Sequence, residues 1–249
     1  MSTALVHYSA AAASDRGRKR PSNEDAFAYS VENGVFLVCD GMGGAAAGEI
    51  ASSLAADETL KHLTRRIGSG VEAGDLAHLA EEAIGIANEA IYKRSERNYK
   101  LSGMGTTLVG LIVDERQVLV FNVGDSRCYL LRNKRIQQLT MDHSLVEEQV
   151  RLGRMTRSEA LRSPLKNVIT RALGTQTRVT PDVFEHEAEP GDLFLLCSDG
   201  LTRELSDSKI ESLLCSDLTL AVLCSKLVEA AVNAGGHDNI TCLLVRVDG

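Results

Sequence analysis

Residues 104–133 read MGTTLVGLIVDERQVLVFNVGDSRCYLLRN, and they limit the kind of sheet that the chain can build. Three apolar runs rich in β-branched and aromatic residues are predicted to be β-strands: 104–113, 117–123 and 127–133. A parallel connection between neighbouring strands needs about a dozen residues. The connections at 114–116 and 124–126 are far shorter, so we expect antiparallel pairing and disfavour a doubly wound parallel sheet.

The rest of the chain adds strands and grouped helices. Further predicted strands are 25–30, 34–40, 179–187, 192–198 and 239–247. Apolar residues at helical spacing predict helices around 47–54, 76–91 and 220–231. The first two helices are consecutive, which is typical of an α+β chain, and strands that are apolar on both faces indicate packing on both sides. The predicted fold class is α+β, with two antiparallel sheets face to face and helices outside them.

Composition and charge exclude several classes of protein. With 249 residues, 44% of them hydrophobic, the chain can bury a large core, and we expect one domain over 1–249. The net charge of -7 argues against a general nucleic-acid-binding protein. No apolar run reaches the about 20 residues of a membrane span, and no basic signal-peptide region begins the chain. We therefore expect a cytoplasmic protein. Its six cysteines include no CxxC pair, and we expect buried thiols at Cys39, Cys197 and Cys242, which lie in or at the end of apolar runs.

Four apolar runs have an aspartate at one end. These aspartates are Asp40, Asp125, Asp199 and Asp238, and the pair Glu24-Asp25 begins a fifth run. Each one alone is more simply a turn residue. If strand ends of one sandwich converge, however, two carboxylates about 4 Å apart repel by roughly 4 kcal/mol, and the cluster needs cations or protons. Glycines rather than basic residues follow Asp40 and Asp199, and all-oxygen sites favour Mg²⁺ or Mn²⁺ over zinc.

A basic segment stands next to these acids. Its members are Arg16, Arg18, Lys19 and Arg20, shortly before Asn23-Glu24-Asp25. A guanidinium group of this segment could bind a phosphate monoester that is also bound to two metal ions. Two such ions bridged by a carboxylate would acidify a water for in-line attack on phosphorus. The residues thus point towards metal-assisted phosphate ester hydrolysis.

Eight short motifs follow one another along the chain: RPSNED (20–25), DGMGG (40–44), GMGTT (103–107), VGDSR (123–127), DHS (142–144), ITRALG (169–174), SDGL (198–201) and DNIT (238–241). In this order they resemble the motifs of bacterial metal-dependent Ser/Thr protein phosphatases of type 2C, the PPM family. The resemblance covers nearly the whole chain. It implies a four-layer αββα sandwich with a dinuclear metal centre at one end, and hydrolysis of phosphoserine and phosphothreonine by a metal-bridging water.

The resemblance also implies a metal-binding role for particular residues. Asp40 would bridge two Mn²⁺ or Mg²⁺ ions, and the Gly41 carbonyl would bind one of them. Asp199 and Asp238 would complete the shell of one ion, and Glu24 would act through water on the other.

Further implied features concern the substrate. Arg20 would bind the phosphate and, with Asp40, count as catalytic. Asp125 would join Asp199 in a weaker third metal site, and residues 142–170 would form a flap beside the cleft. Met42 stands where eukaryotic relatives often carry a histidine, the proposed proton donor, so a metal-bound water or another group must protonate the leaving alkoxide. The expected partners are phosphorylated proteins, including a Ser/Thr kinase or its targets, with no membrane or nucleic acid, and a monomer is expected.

Two other functions stay open at this stage. The sequence CSDGLTR at 197–203 fits the C-x-x-G-x-x-R loop of cysteine-dependent tyrosine phosphatases, with Cys197 as nucleophile and Arg203 as phosphate ligand. Asp199 and Glu204 count against this function, because negative charge raises a thiol pKa and repels phosphate. The other alternative is a catalytically inactive phosphatase fold that binds partners.

Overall fold

The computed structural model describes residues 7–43, 47–69 and 76–248. Two antiparallel sheets account for the strands in these ranges. The first sheet has the order β1 (His7–Asp15), β11 (Ile240–Asp248), β10 (Leu193–Cys197), β7 (Arg127–Arg132), β8 (Arg135–Gln138). The second has the order β2 (Asp25–Ser30), β3 (Val35–Met42), β5 (Leu108–Asp114), β6 (Gln117–Val123), β9 (Asp182–Glu187), and the short β4 (Gly105–Thr106) pairs with the end of β3.

Helices cover the outer face of each sheet. The α-helices in the described ranges are α1 (Ala47–Ile67), α2 (Leu76–Arg97), α3 (Leu145–Arg151), α4 (Arg157–Arg162), α5 (Asp199–Glu204), α6 (Asp207–Leu214) and α7 (Leu220–Ala234). Helices α1 and α2 pack on the second sheet, and α5, α6 and α7 pack on the first. None of the described helices is both long enough and apolar enough to cross a membrane.

Strand β3 is apolar at successive positions because both of its faces are buried. Its residues Phe36 and Val38 point into the core between the two sheets, where they join Phe194 and Leu243. Leu37 and its alternate neighbours point the other way, into the core beneath α1 and α2. Successive side chains of a strand face opposite sides, so a strand between two cores is apolar throughout. The predicted α+β fold and four-layer αββα sandwich are confirmed.

One predicted pairing is wrong. Strands β5 and β6 pair antiparallel as expected, but β6 does not pair with β7, which lies in the facing sheet between β10 and β8. A three-residue connection excludes a parallel crossover, yet it can also carry the chain from one sheet to the other at the end of a sandwich. Gly124 adopts φ +107 in this connection, and an added Cβ would lie 2.5 Å from Thr107 Cγ2. The turn therefore places Asp125 at the end where the two sheets meet.

Two strands and four short helices were not predicted. Strand β1 is rich in alanine, which has a low strand propensity, and its strand conformation comes from its pairing with β11 over its whole length. Strand β8 is short and forms a hairpin with β7. Helices α3 to α6 have six to eight residues each, too few for a clear apolar period. Gly44 of the DGMGG motif lies outside the described residues.

Candidate metal centre

Asp40 lies near the end of β3, and its backbone is held from both sides. Its N–H donates to Thr107 Oγ1 at 3.0 Å, and its carbonyl accepts from the Thr107 N–H at 2.9 Å and from Thr106 Oγ1 at 2.9 Å. These bonds tie β3 to the segment before β5. The Asp40 carboxyl group therefore projects from a backbone that has little freedom to move.

Asp25 stands directly opposite Asp40 in the β2–β3 hairpin, and it is not among the site residues predicted from the sequence. Its Oδ2 accepts hydrogen bonds from Ser198 Oγ at 2.8 Å and from Thr241 Oγ1 at 2.7 Å. Its Oδ1 is buried without a hydrogen-bond partner. Burial of the carboxyl raises the pKa of Asp25 to about 6. The short β2–β3 loop sets the hairpin register, and this register is the sequence signal that could have predicted Asp25 to lie opposite Asp40.

Glu24 and Gly41 approach each other closely. The Gly41 N–H donates to the Glu24 carbonyl at 3.1 Å, and Ser52 Oγ donates to the same oxygen at 2.6 Å. A Cβ on Gly41 would collide with the carbonyls of Glu24 and Gly48. Glycine is thus needed here for close backbone approach.

Asp199 and Asp238 come from the other sheet and its first helix. Asp199 is the first residue of α5, one residue beyond the end of β10, and Asp238 lies just before β11. Arg203 Nη2 contacts Asp199 Oδ2, and Arg203 Nη1 lies 3.0 Å from Asp238 Oδ2. Arg20 Nη2 approaches the same Asp238 oxygen at 2.7 Å. This position of Arg203 was not predicted, because α5, which puts residues four apart on one face, was not predicted either.

Asp125 is buried at the sheet-to-sheet turn. The preceding residue, Gly124, is bound twice by His143: its N–H donates to His143 Nδ1 at 3.0 Å, and its carbonyl accepts from the His143 N–H at 2.9 Å. Burial raises the pKa of Asp125, and the positive charge of Arg203 opposes this shift. His143 therefore helps to position a carboxylate rather than lining the cleft.

All seven predicted site residues meet at one cleft of about 280 Å³. The cleft is lined by Arg20, Glu24, Asp40, Gly41, Asp125, Asp199 and Asp238, and also by Met42, Thr107, Asn167, Ile169 and Arg203. Residues far apart in sequence thus converge as the strand-end pattern predicted. Asp25 lies beside this group, in contact with the ends of β10 and β11.

The electrostatics of the cleft fit divalent cations. Burial raises the pKa of Asp40 well above its usual range, and the nearby carboxylates Asp25, Asp199, Asp125 and Asp238 raise it further. Burial likewise raises the pKa of Asp199, whose Oδ1 is buried without a hydrogen-bond partner. Unpartnered carboxylate oxygens that repel one another are the donors that hard cations prefer. The donor set therefore fits Mg²⁺ or Mn²⁺.

The side chains are nevertheless not arranged in a finished coordination shell. Among the described residues, no three acidic, histidine or cysteine side chains are grouped so that they could hold one ion without moving. Arg203 and Arg20 engage oxygens of Asp199 and Asp238 instead. A cation bound at these particular oxygens would displace the guanidinium groups from them.

The structure argues against a cysteine nucleophile. Cys197 is fully buried in β10, and this burial raises its pKa to about 12. Arg203 points to Asp199 and Asp238 instead of forming a phosphate loop with the thiol. The alternative that uses Cys197 and Arg203 is therefore not favoured.

Comparisons with known proteins agree with this site. The family described as "Protein phosphatase 2C" matches residues 14–230. The serine/threonine phosphatase stp of Listeria monocytogenes serotype 4b (strain F2365) is 40% identical over 237 residues, which cover 94% of each chain. The crystal structure of the Mycobacterium tuberculosis serine/threonine phosphatase PstP/Ppp is 37% identical, with a TM-score of 0.90, over 98% of this chain and 100% of that one.

A further solved structure bears on the metals. The catalytic domain of the serine/threonine protein phosphatase PstP, crystallised in complex with 2 manganese ions, is 36% identical to this chain. The TM-score is 0.87, and the match covers 98% of this chain and 100% of that one. That fold therefore accommodates a dinuclear metal centre.

The αββα sandwich, the acidic cleft at its end and these relatives together define the class of protein, a metal-dependent protein serine/threonine phosphatase. The chain belongs to the protein phosphatase 2C family.

Proposed function

We propose that the cleft removes phosphate from phosphoserine and phosphothreonine of proteins with the help of two Mn²⁺ or Mg²⁺ ions. The observation that carries this proposal is the convergence of five carboxylate residues from separate strand ends on one cleft beside Arg20. Among the described residues that line the cleft, Arg20 and Arg203 are the only basic side chains that offset these negative charges. Such a set needs doubly charged cations to ionise fully.

Each metal-binding role is proposed for a particular residue. Asp40 would be shared by the two ions, and the Gly41 carbonyl would be a ligand of one of them. Asp199 and Asp238 would belong to the shell of one ion, while Glu24 would act through water on the other. When bound, the ions supply Lewis-acid stabilisation of the phosphate and an acidified water as nucleophile.

A third, weaker metal site is proposed at Asp125 and Asp199. Both side chains are buried, and the negative charge of Asp125 is the largest charge effect that raises the pKa of Asp199. The repulsion between these two carboxylates supports a cation between them. Asp125 is held in place through Gly124 and His143, so this site depends on the base of the flap.

Arg20 is proposed to bind the substrate phosphate. Its side chain is 50% exposed and lines the cleft, and its guanidinium is already positioned there by Asp238. The planar guanidinium offers paired donors that match phosphate oxygens. Met42 also lines the cleft but has no ionisable group, so the proton for the leaving alkoxide has to come from elsewhere.

The proposed flap, residues 142–170, reaches the cleft through its last turn. Asn167 and Ile169 line the cleft, and the flap closes on itself through Leu145 N–H to Val168 O at 2.8 Å and Thr170 N–H to His143 O at 2.7 Å. This placement supports contact between the flap and a substrate next to its phosphorylated residue. We propose that residues 1–249 form one catalytic domain that includes this flap.

The proposed partners are phosphorylated proteins of the cytoplasm, including a Ser/Thr kinase or its targets, and the proposed state is a monomer. The cysteines support a reducing compartment, since all six are free thiols.

The proposed function can be tested with phosphopeptides and metal titration. We expect hydrolysis of phosphoserine and phosphothreonine peptides that requires Mn²⁺ or Mg²⁺ and is lost in Asp40→Asn. Asp217→Asn, at an exposed acid outside the cleft, is the control and should keep full activity. Activity that persists in EDTA, or an Asp40→Asn variant as active as the control, would contradict the proposal.

A further inference from the structure

Arg203 is a second guanidinium at the cleft, and the roles proposed above leave it unused. It lies on α5 one turn after Asp199, so both side chains share a face of the helix. Its Nη2 contacts Asp199, and its Nη1 lies 3.0 Å from Asp238 Oδ2. Its side chain is 28% exposed, so a ligand in the cleft can reach it.

Arg203 and Arg20 converge on one point. Both approach Asp238 Oδ2, Arg20 at 2.7 Å and Arg203 at 3.0 Å. The two Nη atoms are therefore less than about 6 Å apart, a span that the oxygens of one phosphate group can bridge. Arg127 is not a comparable group, because its guanidinium is already occupied by three hydrogen bonds to Asp142.

The present partners of Arg203 are residues that we propose as metal ligands. A divalent cation at Asp199 and Asp238 would take the oxygens that Arg203 now contacts and would repel the guanidinium. The released guanidinium would remain at the boundary between the metal cleft and a second cavity of about 560 Å³ beneath the flap, since it lines both. An anion in the cleft is then the natural new partner for this charge.

We propose that Arg203 is a further substrate-binding residue, which pairs with Asp199 and Asp238 in the metal-free protein and with the substrate phosphate, alongside Arg20, once metals are bound. This inference rests on the proposed function. It predicts that Arg203 lowers the affinity for metal ions and raises the affinity for the substrate. The guanidinium competes with metals for carboxylate oxygens, and it strengthens the binding of substrate.

The test uses Arg203→Met, which keeps most of the side-chain length without the charge. Calorimetric titration of the metal-free variant should show Mn²⁺ binding that is about three- to tenfold tighter than in the wild type, because a competitor is gone. With saturating Mn²⁺, KM should rise about tenfold both for a phosphothreonine peptide and for p-nitrophenyl phosphate. Arg203→Lys keeps the charge without the paired donors. Its Mn²⁺ affinity and its KM should both lie between those of the wild type and those of Arg203→Met.

Arg135→Met is the matched control, because it removes a charge from a side chain that is 86% exposed and does not line the cleft. It should change neither quantity. Unchanged or weaker Mn²⁺ binding in Arg203→Met would overturn the inference, as would an unchanged KM for both substrates. Failure of the proposed function would look different, since the wild-type protein itself would then show no metal-dependent turnover.

Discussion

Replacing Asp25 by asparagine should stabilise the metal-free protein at neutral pH. Burial raises the pKa of this carboxyl from an ordinary 3.8 to about 6, so the folded protein holds the proton more tightly than the unfolded chain does. Above pH 6 the folded state therefore carries an unfavourable buried charge. The difference between the two pKa values corresponds to up to about 3 kcal/mol, at about 1.4 kcal/mol per tenfold change in proton affinity.

The sign of the pH dependence follows from the same shift. Well below pH 3.8 the carboxyl is protonated in both states and the penalty is absent, while from about pH 4 to pH 6 the wild type loses stability relative to Asp25→Asn. The substituted amide has nearly the same shape as the carboxyl and no charge, and its oxygen can still accept hydrogen bonds from Ser198 and Thr241. Saturating Mn²⁺ should shrink the difference, because nearby cations favour the ionised carboxyl.

Urea unfolding in EDTA at pH 4, 5, 6 and 7.5 measures the effect. The free energy of unfolding of Asp25→Asn should exceed that of the wild type at pH 7.5, and most of this difference should be gone at pH 4. Asp217→Asn provides the control at an exposed acid and should follow the wild type throughout. Parallel curves for Asp25→Asn and the wild type over this range would refute the reasoning that the buried carboxyl is penalised.

Two further predictions test whether Arg20 binds the substrate phosphate and whether Cys197 acts as a nucleophile. Arg20→Ala should raise KM for phosphopeptides about tenfold without weakening Mn²⁺ binding, because the guanidinium is assigned to the substrate. Steady-state kinetics and calorimetry measure the two quantities, and a loss of Mn²⁺ affinity as large as the loss of substrate affinity would give Arg20 a structural role instead. Cys197→Ala should retain metal-dependent turnover, since this thiol is fully buried in β10, and a variant that folds but is inactive would restore the cysteine mechanism.

Several features of the fold and site are readable from local patterns. The strands 25–30 and 117–123 have the predicted bounds, because turn residues flank apolar runs of the right length. The prediction that Asp40 and Asp199 share a site also followed from a local feature, an acid placed directly at the end of a strand that is apolar on both faces. The structure brings both residues to one cleft.

Other features depend on which strands become neighbours in space. The same three residues at 124–126 could have closed a hairpin, yet they lead into the facing sheet, and so Asp125 reaches the cleft. The alanines of β1 form a strand because β11 offers a partner along its full length. Such pairings are settled by the burial of two sheet faces against each other, a long-range effect that no short window of sequence contains.

The sequence shows the residue types needed for a metal site, which are carboxylates followed by glycine at strand ends. It does not show which residues contact these carboxylates. Asp25 is held by Ser198 and Thr241, and Arg203 bridges Asp199 and Asp238, because folding joins the ends of β2, β10 and β11 at one edge. Charge interactions act over a few ångströms of space, so the distances that set each pKa and ion pair exist only after the two sheets have packed.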